Sequence, residues 1–501
     1  MRLQRNICLT FMCLLALNGA QARNKPLPSL QTNLAATRHH YSHLIAGEVP
    51  RLAELTLFAN LLPKGGDVHH HYSGAMYAET YLDWVEMQNA CIYRVTDVVL
   101  KIEKFRVALK PQELSADQRA NCITIDAVRQ DNGFYRELLQ RWSDKDYDNH
   151  FHEQVAPDKQ FFDTFGYFGA ISDHDYHQGL LLLKARAKAE NVSYLETMLK
   201  GAPTVDNPAL DAAFGKLNAT SSTQQIDDAL ADAYRILSSD ADTRAKLDAY
   251  VSSLEIAASG LEDDDFKLRF QAYVSRNNPP AKVFSSLYTA FAAAQRSKWV
   301  VGVNIVGPEN GITAMRDYSL HMSMFSLLKR CFPGTKVSLH AGELALGMVP
   351  PEGLRSHIGE AVRVAHADRI GHGIDIAHET DAPALLDTMK RHGVAVEVNL
   401  SSNAFILGVK NEAHPLMLYA RYGVPFVIST DDAGVSRNNL SGEYLLYISR
   451  YKPSYDELKR TVYNSIRYAF LSDADKKDEL KKLDQRFARF EALMAHQPHP
   501  H

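Results

Sequence analysis

Long hydrophobic runs are missing from this sequence. The amino-terminal run Ile7 to Leu17 is well short of the roughly 20 residues a spanning helix needs, and no later stretch is long enough, so no membrane partner is expected. A basic excess is missing too. The formal net charge is -4 at pH 7, whereas phosphate-backbone binders carry a strong surplus of Lys and Arg, which excludes nucleic acid as an expected partner. Cysteine is scarce, five in 501 residues. There is no internal repeat and no low-complexity tract beyond the His/Pro tail His496 to His501, so solenoids and fibrous folds are excluded.

With 46% hydrophobic and 23% charged residues, the chain has the balance of a globular protein that buries a sizeable core. Arg2 and Arg5 precede the apolar run, and Ala20-Gln21-Ala22 follows it, the pattern of an export signal over residues 1–22 cleaved near Arg23. The expected location is therefore secreted or periplasmic. Cys8 and Cys13 leave with that signal, so Cys91, Cys122 and Cys331 face an oxidising compartment. One pairing, Cys91 with Cys122, with Cys331 as a buried free thiol, and three free thiols are both open readings. The sequon Asn218-Ala219-Thr220 matters only for a eukaryotic source.

Short apolar runs rich in β-branched residues recur between longer stretches of helical spacing, which predicts an α/β fold. The runs are Gly66–His70, Val192–Met198, Phe266–Val274, Trp299–Ile305, Lys336–His340, Arg369–His372, Val394–Asn399 and Pro425–Thr430. Eight strands separated by helices predict a (β/α)8 TIM barrel, whose chemistry gathers at the carboxyl ends of the strands. Residues 23–62 read as an amino-terminal helical segment, 63–490 as the barrel and 491–501 as a disordered tail. Two stretches, about 76–161 and 202–265, exceed a minimal barrel and read as mostly helical insertions after strands 1 and 2.

His69-His70-His71 ends the first strand. In an extended chain residues i and i+2 share a face, so His69 and His71 can converge on one ion while His70 points away. His340 ends the fifth strand and Asp431 follows the eighth, and these strand ends open on one barrel mouth. Three imidazoles and a carboxylate form an N/O set suited to Zn2+, which lowers the pKa of a bound water from about 15.7 towards about 7. Read alone, Asp431 is equally a helix N-cap.

These motifs together resemble the adenosine deaminase family, the single-metal purine branch of the amidohydrolase superfamily. The similarity rests on Lys64-Gly65-Gly66-Asp67-Val68-His69-His70-His71, Ser338 to Glu343, Arg369-Ile370-Gly371-His372-Gly373, Val398 to Asn403, and Ser429 to Asp432. The resemblance implies one zinc per chain on His69, His71, His340 and Asp431, with Glu343 protonating purine N1. It also implies that His372 accepts a proton from the attacking water or stabilises it electrostatically, a fourth ligand role being the alternative. Asp432 would meet purine N7, and the backbone N–H of Gly307 purine N3. The implied reaction is hydrolytic deamination of adenosine, and of 2'-deoxyadenosine, to inosine and ammonia. Asn304 and its neighbours offer no metal-bridging lysine, which favours a mononuclear centre.

The chain departs from the family pattern at Ser73, where small cytosolic members often carry a ribose-contacting aspartate, and at Ala433, where many relatives have proline. The long insertion after strand 1, the export signal and the two cysteines resemble the secreted, growth-factor-type deaminases. A homodimer is implied by that resemblance alone. The alternative substrates are adenine, an N6-substituted adenosine and adenosine monophosphate. A non-catalytic nucleoside-binding or signalling relative is the alternative from a different class. The cytidine deaminase class is excluded, since its H-x-E with P-C-x-x-C has no counterpart here.

Overall fold

The computed structural model describes residues 29–96, 103–147, 155–218 and 220–497. The export signal and the last four residues of the His/Pro tail lie outside these, as does Ala219 of the sequon. Eight parallel strands form one sheet in sequential order: β1 (Gly65–His71), β2 (Val192–Met198), β3 (Lys267–Ser275), β4 (Val300–Val306), β5 (Lys336–Ala341), β6 (Arg369–His372), β7 (Ala395–Val398) and β8 (Phe426–Ile428). Past the end of β8 the chain pairs with β1, through the N–H of Asp431 to the carbonyl of His69 and the N–H of His71 to the carbonyl of Asp431. This bridge brings the sheet round into a (β/α)8 barrel.

Side-chain parity explains why the strands read as apolar runs broken at every second position. Outward residues such as Val303, Ile305, Val337, Leu339, Ile370 and Val396 pack under the surrounding helices. Inward residues are polar and reach across the barrel. Gln271 donates to the Glu196 carboxylate, Asn304 donates to Gln271, and Arg369 of β6 bonds both Glu196 of β2 and Glu397 of β7. The guanidinium also lies over the Phe470 ring at 3.7 Å, on the side of Gly302, where a Cβ would lie 2.6 Å from that ring.

The amino-terminal segment forms helices Leu30–Leu44 and Leu52–Leu61, packed on the last helix, Asp473–Met494, and on Leu440–Tyr451. The last helix therefore continues past residue 490, into the stretch expected to be disordered. No described helix is long and apolar enough to cross a membrane.

The first insertion is mostly helical, as expected, but not wholly. Besides helices such as Ala78–Met87 and Asn132–Arg141, it holds a small antiparallel sheet, with Cys91–Thr96 between Glu103–Ala108 and Cys122–Ile123. Ile92, Phe105 and Val107 are buried while Arg94 and Arg106 are exposed. Ile92 and Arg94 share the face of Val107 and Phe105, so a basic residue interrupts the apolar face where period-two patterning would otherwise show. Arg94 covers the rings of Phe105 and Phe134 at 5.1 and 5.2 Å, so its charge stays wet while its stem shields the small core. Cys91 and Cys122 form a disulfide that ties the short edge strand to this sheet. Cys331 is free and half-buried rather than buried. The second insertion is helical, as Pro208–Phe214, Thr223–Ser239 and Ala241–Ala258.

Candidate active site

The mouth of the barrel gathers every residue singled out in the sequence. His69 and His71 leave the end of β1 on its inward face, His340 is inward on β5, and Asp431 sits at the bridge that closes the sheet. One ligand atom from each lies within 4.8 Å of the others. His70 points away and meets Thr197 Oγ1 through Nδ1 at 2.8 Å.

The hydrogen bonds behind the rings decide which nitrogens face the centre. Asn304 Oδ1 accepts from the backbone N–H groups of Ile305 and His340, so it is an oxygen and also takes the proton of His340 Nδ1 at 2.9 Å. His340 Nε2 therefore presents a lone pair, 3.1 Å from His71 Nε2. His69 Nδ1 donates to Glu397 Oε2 at 2.6 Å, which leaves its Nε2 bare, buried and without a hydrogen bond, 3.3 Å from Asp431 Oδ1. Converging lone pairs with a carboxylate among them call for a cation. Electrostatics agree. Burial alone would lower His69, but the nearby Asp431 and Glu397 carboxylates lift it to about 10, so the site draws positive charge between these groups. Burial and the neighbouring imidazoles hold His340 well below its usual range. The donor set fits a divalent metal that prefers nitrogen and oxygen.

Glu343 follows β5, with Gly342 in the left-handed region (φ 70°) turning the chain beneath it. Glu309 holds this turn by accepting from the N–H of Gly342 at 3.1 Å and of Glu343 at 2.9 Å. Burial would raise Glu309, but Arg276 and His357 outweigh it and keep the carboxyl at about 2. Burial, with Asp431 and then this fixed anion, pushes the Glu343 carboxyl well above the carboxylate range.

His372, at the end of β6, turns Nε2 towards Glu343 Oε1 at 3.6 Å and Asp431 Oδ2 at 3.9 Å. Its backbone is left-handed (φ 68°), as is that of Asp431 (φ 59°). Two non-glycine residues in this region cost about 1–3 kcal/mol each; the barrel-closing bonds to His69 and His71 hold Asp431 there, and pairing of β6 with β5 places His372 beside Ala341. Asp432 lies beside them with Oδ1 buried and unpartnered, and burial and Asp431 push its carboxyl well above the usual range. Gly307 (φ 97°) brings its backbone to the cavity wall.

The cavity opens at the barrel mouth and has about 140 Å³ of room for the centres of water-sized molecules. Phe161, Phe162 and Phe165, from helix Pro157–Ser172, form one wall, and Met198, Tyr273 and Ser73 line it as well. Among the described residues no Lys or Arg lines it.

Several functional positions escaped the sequence reading. Glu397 orients His69, Ser402 donates to Asp431 Oδ2 at 2.7 Å, and Glu309 braces the Glu343 turn. Glu397 had a visible signal, a lone acid at an inward position of an apolar run. Gly74 had none. A Cβ there would lie 1.6 Å from Asp432 Oδ1. Gly74→Ala is therefore expected to displace Asp432 and lower kcat/KM about 10- to 100-fold for loss of one oriented hydrogen bond, with metal content unchanged. Steady-state kinetics beside metal analysis check this, and an unchanged kcat/KM would remove Asp432 from the binding site.

The adenosine deaminase family matches residues 246–486. Over that stretch, just under half of the chain, the protein is similar to adenosine deaminases. Over 236 residues it is 29% identical to the adenosine deaminase of Clostridium acetobutylicum, covering 46% of this chain and 65% of that protein. It is 35% identical over 144 residues to that of Serratia proteamaculans, covering 28% and 40%. The matched stretches thus span less than two thirds of these superfamily relatives. Among solved structures, the adenine deaminase of Arthrobacter aurescens superposes with a TM-score of 0.52 at 18% identity, over 85% of this chain and 99% of that one. The N6-mAMP deaminase of Arabidopsis does so with 0.54 at 16%, over 86% and 99%. At such identities these two likenesses bear on the fold alone.

Proposed function

We propose that the protein is a zinc-dependent hydrolase that removes the 6-amino group of an uncharged aminopurine, giving the 6-oxopurine and ammonia. The observation that carries this reading is the juxtaposition of the lone-pair cluster His69, His71, His340 and Asp431 with the buried carboxyl of Glu343 at one barrel mouth. Zinc on those four ligands supplies a Lewis acid that makes water nucleophilic at neutral pH. Glu343 gives its proton to ring N1, which draws electrons from C6 and makes that carbon the point of attack. Asp432 orients N7 and the N–H of Gly307 orients N3. The phenylalanine wall keeps bulk water from the reacting carbon.

Two substrate readings have support. The curated superfamily relatives that match are adenosine deaminases. Free adenine or an N6-substituted neutral purine is favoured by Ser73, which stands where relatives carry a ribose-contacting acid, and by the apolar wall. A 5'-phosphate finds no cation among the described lining residues, which speaks against adenosine monophosphate. Within the superfamily we place the chain beside the secreted, growth-factor-type deaminases on its disulfide-tied insertion after β1. Export belongs to the same proposal, and the amino terminus of the mature protein tests it.

The deciding assay follows absorbance loss for adenine, adenosine, N6-methyladenosine and adenosine monophosphate, using protein shown to contain zinc. Deamination of at least one neutral substrate, abolished by a chelator and restored by zinc, is expected. Zinc-loaded protein that leaves all four untouched would overturn the reading.

A further inference from the structure

Whether His372 faces the reacting water as a proton acceptor or a donor depends on which ring nitrogen carries its proton. The hydrogen bonds behind it settle this from a fixed starting point. The N–H of Leu416 can only donate, and it donates to His414 Nδ1 at 3.1 Å. That nitrogen is therefore unprotonated, and the proton of His414 is on Nε2, 3.2 Å from Asn403 Oδ1. With its oxygen engaged as an acceptor, Asn403 turns its amide nitrogen towards His372 Nδ1 at 2.9 Å and donates there. His372 Nδ1 is then the acceptor, so the ring is neutral and carries its proton on Nε2, the nitrogen facing Glu343 and Asp431.

All three side chains are buried, and the relay runs from the loop before helix Leu416–Tyr422, through helix Leu400–Ile406, to the end of β6. We propose that His414 is a positioning residue that, through Asn403, locks His372 in the Nε2-protonated form, so that His372 holds the attacking water as a hydrogen-bond donor and does not take its proton in the resting state. The inference deepens the deaminase reading and rests on it for its kinetic consequence. The proton arrangement itself does not. Burial reinforces the arrangement by holding His414 at about 3, far from becoming imidazolium.

Two substitutions separate positioning from a merely structural role. His414→Asn keeps an acceptor for the Leu416 N–H and withdraws the donor to Asn403. His414→Gln does the reverse, setting an amide N–H where Nε2 stood. The relay predicts that His414→Asn lowers kcat about 10- to 100-fold at unchanged KM and zinc content, while His414→Gln stays close to wild type. A loop-holding role predicts the opposite order, and that order would overturn the proposal. Neutron diffraction from deuterium-exchanged crystals reads the same question without activity. A deuteron on His372 Nε2 and none on Nδ1 is expected, and a deuteron on Nδ1 would refute the relay even in a protein that deaminates adenosine. Should the zinc-loaded wild type deaminate no purine, the deaminase reading fails and the neutron map still decides the relay.

Discussion

Glu343→Gln is expected to cut kcat by about 10³-fold, in the upper part of what a positioned general acid contributes, while zinc content and the affinity for a non-reacting purine stay near wild type. Glutamine keeps the shape of the side chain and donates a hydrogen bond to ring N1, but it has no proton to transfer. The size of the effect follows from how much of the fold serves this one group. Glu309 accepts from both N–H groups of the turn and, as an anion held at about 2, raises the acid beside it. The comparison is made by single-turnover absorbance on wild type and variant loaded with equal zinc. A variant that keeps more than about a tenth of wild-type kcat would assign the proton to another donor.

Arg369→Met is expected to destabilise the protein by about 3–5 kcal/mol, the usual cost of removing one partner from a buried ion pair. Arg369 is 1% exposed and bonded to Glu196 and Glu397, both fully buried, and to the carbonyl of Tyr468 at 2.9 Å. Methionine fills much of the space, leaves Glu196 without a counter-charge and leaves Glu397 with His69 alone. Burial would raise Glu397, but Arg369 and His69 hold it at about 2, against an ordinary 4.5. A depressed carboxyl contributes stability that is present above its unfolded value and is lost as the pH falls through its folded one. In the variant that contribution disappears, so the loss measured by urea unfolding is largest at neutral pH and shrinks as the pH falls below 4.5. Zinc affinity should fall as well, since Glu397 orients His69. An unchanged urea midpoint at pH 7 would show that the barrel interior tolerates the bare carboxylates.

The eight strand positions were legible because a buried parallel strand leaves a local mark, a short apolar run broken at every second residue. Val192–Met198 and Arg369–His372 coincide with the sequence reading, and the others differ by a few residues at their ends. The antiparallel sheet of the first insertion was not legible. Its apolar face of Ile92, Phe105 and Val107 is short and interrupted by Arg94, and its burial is completed by Phe134, which lies outside the strands. Asn403 lies in a stretch that the sequence singles out, but its link to His414 leaves no local mark, because it depends on a proton two hydrogen bonds away.

By itself, the sequence determined the barrel, the identity of the inward histidines and the acids that accompany them, since strand parity and residue chemistry are properties of neighbouring positions in the chain. Only the tertiary structure decided which nitrogens face the centre, that burial raises the Glu343 carboxyl, and that an aromatic wall from helix Pro157–Ser172 lines the cavity. Tautomers, buried charges and cavity walls are set by groups far apart in sequence, such as His69 with Glu397 or Gly74 with Asp432, whose energies exist only once the barrel has closed and excluded water.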